Sequence, residues 1–291
     1  MGIVHLPVMV REIIKLLNPV AGGTYVDATI GPGGHAEAIL KLIGARGKLI
    51  GVDQDSEALK LAQERLSNER VVLKKGKFSA IEKLLNEDGI SQVDGILFDL
   101  GISMVQLKDL ERGLSFNSNK RLDMRMDKEQ ELSAWDVVNR YSGKELERIF
   151  REFGEERLSR KIAEAIVRER RIKTVDTCSE LSEIVERVYR RRGKVHPATK
   201  TFQALRIEVN KELDELQRGL NASVRTLKKG GRLCVISYHS LEDRIAKRFI
   251  VQSSKEGSLR PITKKPVTPG LDEIRSNPSS RSAKLRAAEK I

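Results

Sequence analysis

Thr24-Tyr-Val-Asp-Ala-Thr-Ile-Gly-Pro-Gly-Gly-His-Ala36 is the stretch on which the reading of this chain turns. A β-type run from Tyr25 to Ile30 breaks into a glycine-rich turn, which opens a helix-patterned segment, Ala36 to Ile43. Glycines belong where a backbone turns tightly and comes close to a ligand that a side chain would exclude. A second apolar strand, Lys48-Leu-Ile-Gly-Val-Asp53, ends in a carboxylate suited to the two ribose hydroxyls of an adenosine. Together these elements describe a nucleoside-binding crevice at the carboxyl end of a parallel sheet.

The turn alone leaves the nucleoside open. Gly31-Pro-Gly-Gly-His-Ala36 formally satisfies the dinucleotide fingerprint, and its acid stands at about the spacing expected for NAD. Three features favour S-adenosyl-L-methionine. Asp27 sits at the tip of the first strand, where it can meet the ammonium of a methionine moiety. Val93-Asp-Gly-Ile-Leu-Phe-Asp99 brings a further carboxylate to the same edge. Leu227-Lys-Lys-Gly-Gly-Arg-Leu-Cys-Val-Ile-Ser237 reads as a helix stop, a Gly-Gly turn and a late buried strand, an order that suits a methyltransferase sheet.

Strands expected near 24–30, 48–53, 71–75 and 93–99 alternate with helices near 8–17, 34–43, 56–67 and 79–87, which predicts an α/β fold with a Rossmann-like sheet. Ser56 is the expected N-cap of the third helix. After Asp99 the pattern changes. An irregular stretch dense in Met and Arg (Arg121-Leu-Asp-Met-Arg-Met-Asp127) leads into helices without intervening strands. Ser142-Gly-Lys-Glu145 and Thr177-Cys-Ser-Glu180 have capping-box spacing. One long helical pattern runs from about Thr199 past Leu220 to the Gly230-Gly231 turn. The methyltransferase domain is therefore expected to be discontinuous, 1–109 and 211–291, with an all-helical insertion at 110–210. The tail (Ile262, Val267, then 284–289) is a candidate last hairpin.

The 291 residues are 39% hydrophobic and 33% charged, enough for a real core under a wet surface. No apolar run approaches the ~20 residues that span a bilayer, and no signal-peptide h-region opens the chain, so a cytoplasmic protein without membrane partners is expected. Cys178 and Cys234 lack ligand-like spacing, and the four histidines are dispersed, so no metal is expected. The net charge of +13 is uneven. Arg157 to Lys200 holds 13 Lys/Arg against 6 Asp/Glu, and Lys255 to Ile291 holds 9 against 4. Basic regions outside a nucleoside-binding core point to a polyanion partner; a solvated, salt-bridged helical surface is the alternative.

Several blocks taken together identify a family. They are His5-Leu-Pro-Val8, Asp27-Ala-Thr-Ile-Gly-Pro-Gly-Gly-His35, Asp94-Gly-Ile-Leu-Phe-Asp-Leu-Gly-Ile-Ser103 with Gln106, and Leu122-Asp-Met-Arg-Met-Asp127. Gly154-Glu-Glu-Arg157, His196-Pro-Ala-Thr-Lys-Thr-Phe-Gln-Ala-Leu-Arg206 and Ser237-Tyr-His-Ser-Leu-Glu-Asp-Arg244 complete the set. In this order, over nearly the whole chain, they resemble the bacterial 16S rRNA (cytosine-N4)-methyltransferases, the RsmH/MraW family, which modify a decoding-centre cytidine. The resemblance implies S-adenosyl-L-methionine contacts from Gly33, Gly34, His35, Asp53, Phe78, Asp99 and Gln106. It also implies small-subunit ribosomal RNA or the 30S particle as partner, and leaves a homodimer open.

The chemistry follows from the acceptor. The N4 lone pair of cytosine is delocalised into the ring, so transfer needs in-line positioning and an acceptor for the N–H proton. Asp99 is the first candidate catalytic acceptor and His239 the second, although a histidine after a strand equally suits a structural hydrogen bond. Many amino-methyltransferases carry a proline pair and an aromatic after this strand. Here Asp99-Leu-Gly-Ile102 offers none, and Phe116, Tyr238 and His239 are candidate base-stacking residues. Arg168, Arg170, Arg171, Arg190, Arg191 and Arg192 are candidates to grip phosphates. Two competing functions are an NAD-dependent enzyme and a non-catalytic ribosome-assembly factor with a retained cofactor site.

Overall fold

The computed structural model describes residues 6–189, 193 and 195–291. His5 and Arg190 to Arg192 lie outside the described residues. The fold divides into two compact units, Met1–Gly101 with Leu213–Ile291, and Ile102–Glu212.

The first unit begins with α1 (Val10–Leu17), β1 (Thr24–Asp27), α2 (Gly34–Leu40), β2 (Lys48–Asp53), α3 (Ser56–Arg65), β3 (Val71–Lys75), α4 (Ile81–Asn86) and β4 (Val93–Asp99). β1 is shorter than the apolar run suggests. Asp27 accepts a hydrogen bond from the Thr29 amide, while the Ala28 and Ile30 amides still bond to Leu97 of β4 and Val52 of β2. The N-cap of α3 is Asp55 rather than Ser56, its carboxylate accepting from the Glu57 amide at 3.0 Å.

The second unit holds α5 (Met104–Lys108), α6 (Ala134–Arg140), α7 (Gly143–Glu152), α8 (Ser159–Arg170), α9 (Cys178–Val188) and α10 (Thr199–Asn210). Among its described residues no strand of the main sheet occurs. Capping boxes open α6 (Ser133 with Asp136), α7 (Ser142 with Glu145) and α9 (Thr177 with Glu180). Their apolar stripes meet in a core around Leu146, Phe150, Ile166, Leu181 and Leu205. Leu122 and Met124 of the Met/Arg-rich stretch are buried in that core, and Asn210 ties the stretch down through Met124 O and the Met126 amide, each at 2.9 Å.

The long pattern from Thr199 is two helices. Lys211 adopts a left-handed conformation (φ 53°), which ends α10 before α11 (Glu212–Thr226) begins. The chain then returns to the sheet as β5 (Leu227–Ser237), followed by α12 (Ser240–Lys255), β6 (Leu259–Pro261), α13 (Leu271–Ser276) and β7 (Lys284–Lys290). The Gly230-Gly231 pair makes a bulge inside β5 rather than a turn ahead of it. The register against β4 jumps from Val93–Leu227 to Gly95–Arg232, and Gly230 takes the positive φ (80°) that such a bulge requires. In the tail β6 runs antiparallel to β7, and the expected partners Ile262 and Val267 also bond to it, through Ala287 and Leu285; residues 268–283, including α13, make the connection.

The seven strands run in the order β3-β2-β1-β4-β5-β7-β6, with β7 antiparallel to its neighbours. Both faces are covered, which explains the unbroken apolar runs. Val26, Ile50, Ile96, Phe98, Leu233 and Val235 face one core, whereas Tyr25, Leu49, Leu97, Cys234 and Ile236 face the other. The strand order reverses on either side of β1, and ligands of such sheets bind at the carboxyl ends beside that reversal.

Candidate active site

Three neighbouring parallel strands, β2, β1 and β4, each end in an aspartate: Asp53, Asp27 and Asp99. Asp27 is 1% exposed, and burial pushes its carboxyl up to about 7, with His35 opposing and Asp99 and Asp53 adding to the rise. A buried acid between two others is a place where a cation is welcome and a pyrophosphate is not. Asp53 is spread over two backbone partners. Its Oδ2 accepts from the Gly31 amide at 3.0 Å and its Oδ1 from the Asp55 amide at 2.9 Å, so the second strand's tip holds the glycine turn in place.

Within that turn Gly33 has a φ of 83°, a left-handed conformation that disfavours any side chain. Ligand approach is the reason the sequence suggests for Gly33 and Gly34, but the protein itself fills the space. A Cβ on Gly33 would stand 2.9 Å from Leu66 Cδ1, and one on Gly34 would stand 3.0 Å from the Pro7 ring.

His35, buried on the first turn of α2, points Nε2 at the Val8 carbonyl (2.8 Å) and Nδ1 at Asp99 Oδ2 (3.5 Å). A carbonyl only accepts, so Nε2 donates to Val8, and Nδ1 is the ring atom that faces Asp99. The Asp99 amide donates to Thr29 Oγ1 at 2.7 Å, and Asp99 Oδ1 accepts from the Tyr238 hydroxyl at 2.8 Å. Burial, then the Asp99 carboxylate, pushes the Tyr238 phenol far above its ordinary range, so it remains a donor. The structure thus brings Asp27, His35, Asp53 and Asp99 together and adds Tyr238 and Thr29.

The other expected residues have plainer surroundings. Phe78 begins the 3-10 turn after β3, its ring edge-on to Phe98 with centroids 5.5 Å apart. Gly219 of α11 passes against it, since a Cβ there would lie 2.8 Å from the Phe78 ring. Gln106 belongs to the helical unit, where its Oε1 accepts from the Ser103 amide (2.9 Å) in the capping box of α5. His239 is the N-cap of α12. Its Nδ1 accepts from the Glu242 amide at 3.5 Å, while Nε2 lies 3.2 Å from Glu242 Oε1, out of line for a hydrogen bond. Glu242 also accepts from the Tyr238 amide at 2.9 Å. Phe116 is stacked on His196 in the helical unit, with centroids 4.2 Å apart. The spacing His239-Ser-Leu-Glu242 is a capping signal that sequence reading passed over, and it fixes the backbone that carries Tyr238.

Two further groups bear on the chemistry. Cys178 and Cys234 are buried, and burial pushes each thiol up to about 12, so neither offers a thiolate near neutral pH. Of the expected phosphate-gripping arginines, Arg170 is occupied by the carbonyls of Val138 (2.6 Å) and Tyr141 (2.5 Å). Arg168 and Arg171 are exposed, as are Arg157 and Lys161, and none of the four has an ion pair among the described residues. Lys161 and Arg168, seven residues apart, share a face of α8.

A family model, the MraW methylase family, matches residues 2–291. The chain belongs to that family. It is 49% identical to the ribosomal RNA small subunit methyltransferase H of Persephonella marina, covering 99% of each chain. The protein of the same name from Caldicellulosiruptor saccharolyticus is 47% identical, again over 99% of both. Among solved structures, an rRNA methylase from Streptococcus thermophilus is 14% identical over 97% of this chain and 93% of that one, with a TM-score of 0.40. Among the described residues no helix is long and apolar enough to cross a membrane.

Proposed function

We propose that this chain is an S-adenosyl-L-methionine-dependent methyltransferase acting in the cytoplasm on the exocyclic N4 of a cytidine in small-subunit ribosomal RNA. The observation that carries the cofactor is the trio Asp27, Asp53 and Asp99 at adjacent strand tips. Such a donor set suits ribose hydroxyls, an ammonium and a sulfonium, and it repels the pyrophosphate of NAD. The bound cofactor supplies an electrophilic methyl group. Asp53 would hold the ribose, Asp27 would provide negative charge for the ammonium, and Phe78 would border the adenine. Gly33, Gly34, His35 and Gln106 complete the binding set that the family resemblance implies.

Asp99 is the acceptor for the target amine. A carboxylate aimed at the N–H bonds draws the lone pair out of the ring as nitrogen bonds to the methyl carbon and the carbon–sulfur bond breaks; one N–H proton passes to the carboxylate. His239 is assigned to holding the start of α12, since its Nδ1 is turned to that helix. Carbon-5 methylation needs a thiolate attack on the ring, and the two buried thiols do not supply one. The helical unit carries the RNA contact, with Arg157, Lys161, Arg168 and Arg171 as phosphate ligands. Labelled methyl transfer to naked small-subunit RNA and to 30S particles tests the reading. Incorporation into either supports it and identifies the substrate form, while cofactor binding with no incorporation into either overturns it.

A further inference from the structure

Asp99 does not hold its own orientation. Its backbone is pinned by Thr29 Oγ1, and its carboxylate accepts, at 2.8 Å, from the hydroxyl of Tyr238, the residue that follows the parallel neighbour β5. Tyr238 is itself immobilised, because its amide donates to the buried Glu242 at 2.9 Å and Glu242 belongs to the cap of α12. A line of contacts therefore runs from a helix start through Glu242 and Tyr238 to the oxygen of one strand-tip carboxylate. A base-stacking role, the other use the sequence allows for Tyr238, leaves this hydrogen bond unexplained.

From this geometry we infer that Tyr238 is the positioning residue for Asp99: by donating to Oδ1 it fixes the carboxylate plane and sets how readily Asp99 takes a proton from the target amine. The inference rests on the methyltransferase reading for its consequence and on geometry for its substance. A donor to a carboxylate favours the ionised form, so its loss makes Asp99 protonate at higher pH. Charged groups around the pair include Asp27, His35, Glu242 and Glu273. All of them persist in Tyr238→Phe, so that variant isolates the hydroxyl.

The experiment uses full-length protein and Tyr238→Phe, Asp99→Asn and the double variant. In Tyr238→Phe, kcat is expected to fall about 10- to 100-fold, the loss of one charge-assisted hydrogen bond, while the cofactor Kd stays within about threefold. The acidic limb of the kcat–pH profile moves upward by about one pH unit, and the double variant is no slower than Asp99→Asn alone. Carbon-13 NMR titration of the Asp99 carboxyl, assigned by its absence in Asp99→Asn, reads the same upward shift without needing activity. A wild type that methylates nothing would sink the methyltransferase reading, yet this titration would still decide the role of Tyr238. An unshifted Asp99 titration in Tyr238→Phe overturns the inference, and so does an equal loss of kcat added on top of Asp99→Asn.

Discussion

Asp27→Asn should make the unliganded protein more stable at alkaline pH. The ordinary value of the carboxyl is 3.8, and in the fold it is raised to about 7, chiefly by burial. A folded value above the unfolded one means that the native state holds the proton more tightly. The resulting stabilisation is fully present below about pH 4 and is lost as pH rises through about 7. At about 1.4 kcal/mol per pH unit, a gap of about three units makes the ionised Asp27 cost the fold about 4 kcal/mol at pH 8. Asparagine is neutral throughout and its side-chain oxygen can keep the bond from the Thr29 amide. The variant should therefore match wild type near pH 4 and exceed it by up to about 4 kcal/mol at pH 8. Calorimetry without cofactor, at both pH values, measures this. Fluorescence of Trp135, the single tryptophan, reports the helical unit as an internal control. An equal difference between variant and wild type at both pH values would refute the claim that Asp27 is a buried acid awaiting a cation. The same substitution should weaken S-adenosyl-L-methionine, because the site loses the charge that the ammonium meets.

Other substitutions test separate parts of the account. Asp53→Ala removes a charge-assisted ribose contact worth ~1.5–3 kcal/mol and should weaken cofactor binding tenfold or more; unchanged affinity by calorimetry removes Asp53 from the site. Gly33→Ala should destabilise the first unit by about 1–3 kcal/mol, from positive φ and the collision with Leu66, and wild-type denaturant stability would contradict the turn geometry. Reversing Lys161, Arg168 and Arg171 to Glu should lower RNA affinity and flatten its salt dependence by ~2–3 in slope. If affinity and slope hold while the variant stays folded, that face of α8 is a solvated surface only.

The strands were the most legible part of this chain in its sequence. Val93–Asp99 and Lys48–Asp53 read correctly to the residue because both faces of the sheet are buried and the runs end abruptly in aspartate. Breaks that depend on tertiary packing were not legible. Lys211 takes a left-handed conformation with no glycine to announce it, and the Gly-Gly pair reads as a turn until β5 is seen pairing on both sides of it. Within the site, the acids at the strand tips could be found from pattern alone. The bond between Tyr238 and Asp99 could not, because 139 residues separate the partners and the sheet alone brings them together. For Gly33 and Gly34 the sequence suggests close approach of a ligand, whereas in the fold Leu66 and Pro7 crowd them from within the protein.

The central claim is the identity of the methylated atom. Small-subunit RNA treated with the protein and S-adenosyl-L-methionine, digested to nucleosides and analysed by mass spectrometry, reads it directly. A methyl on the exocyclic N4 of cytidine, lost when Asp99 is replaced by alanine while RNA binding persists, is the expected result. A methyl on carbon 5 or on the ribose would contradict the assignment of Asp99 as the amine's acceptor.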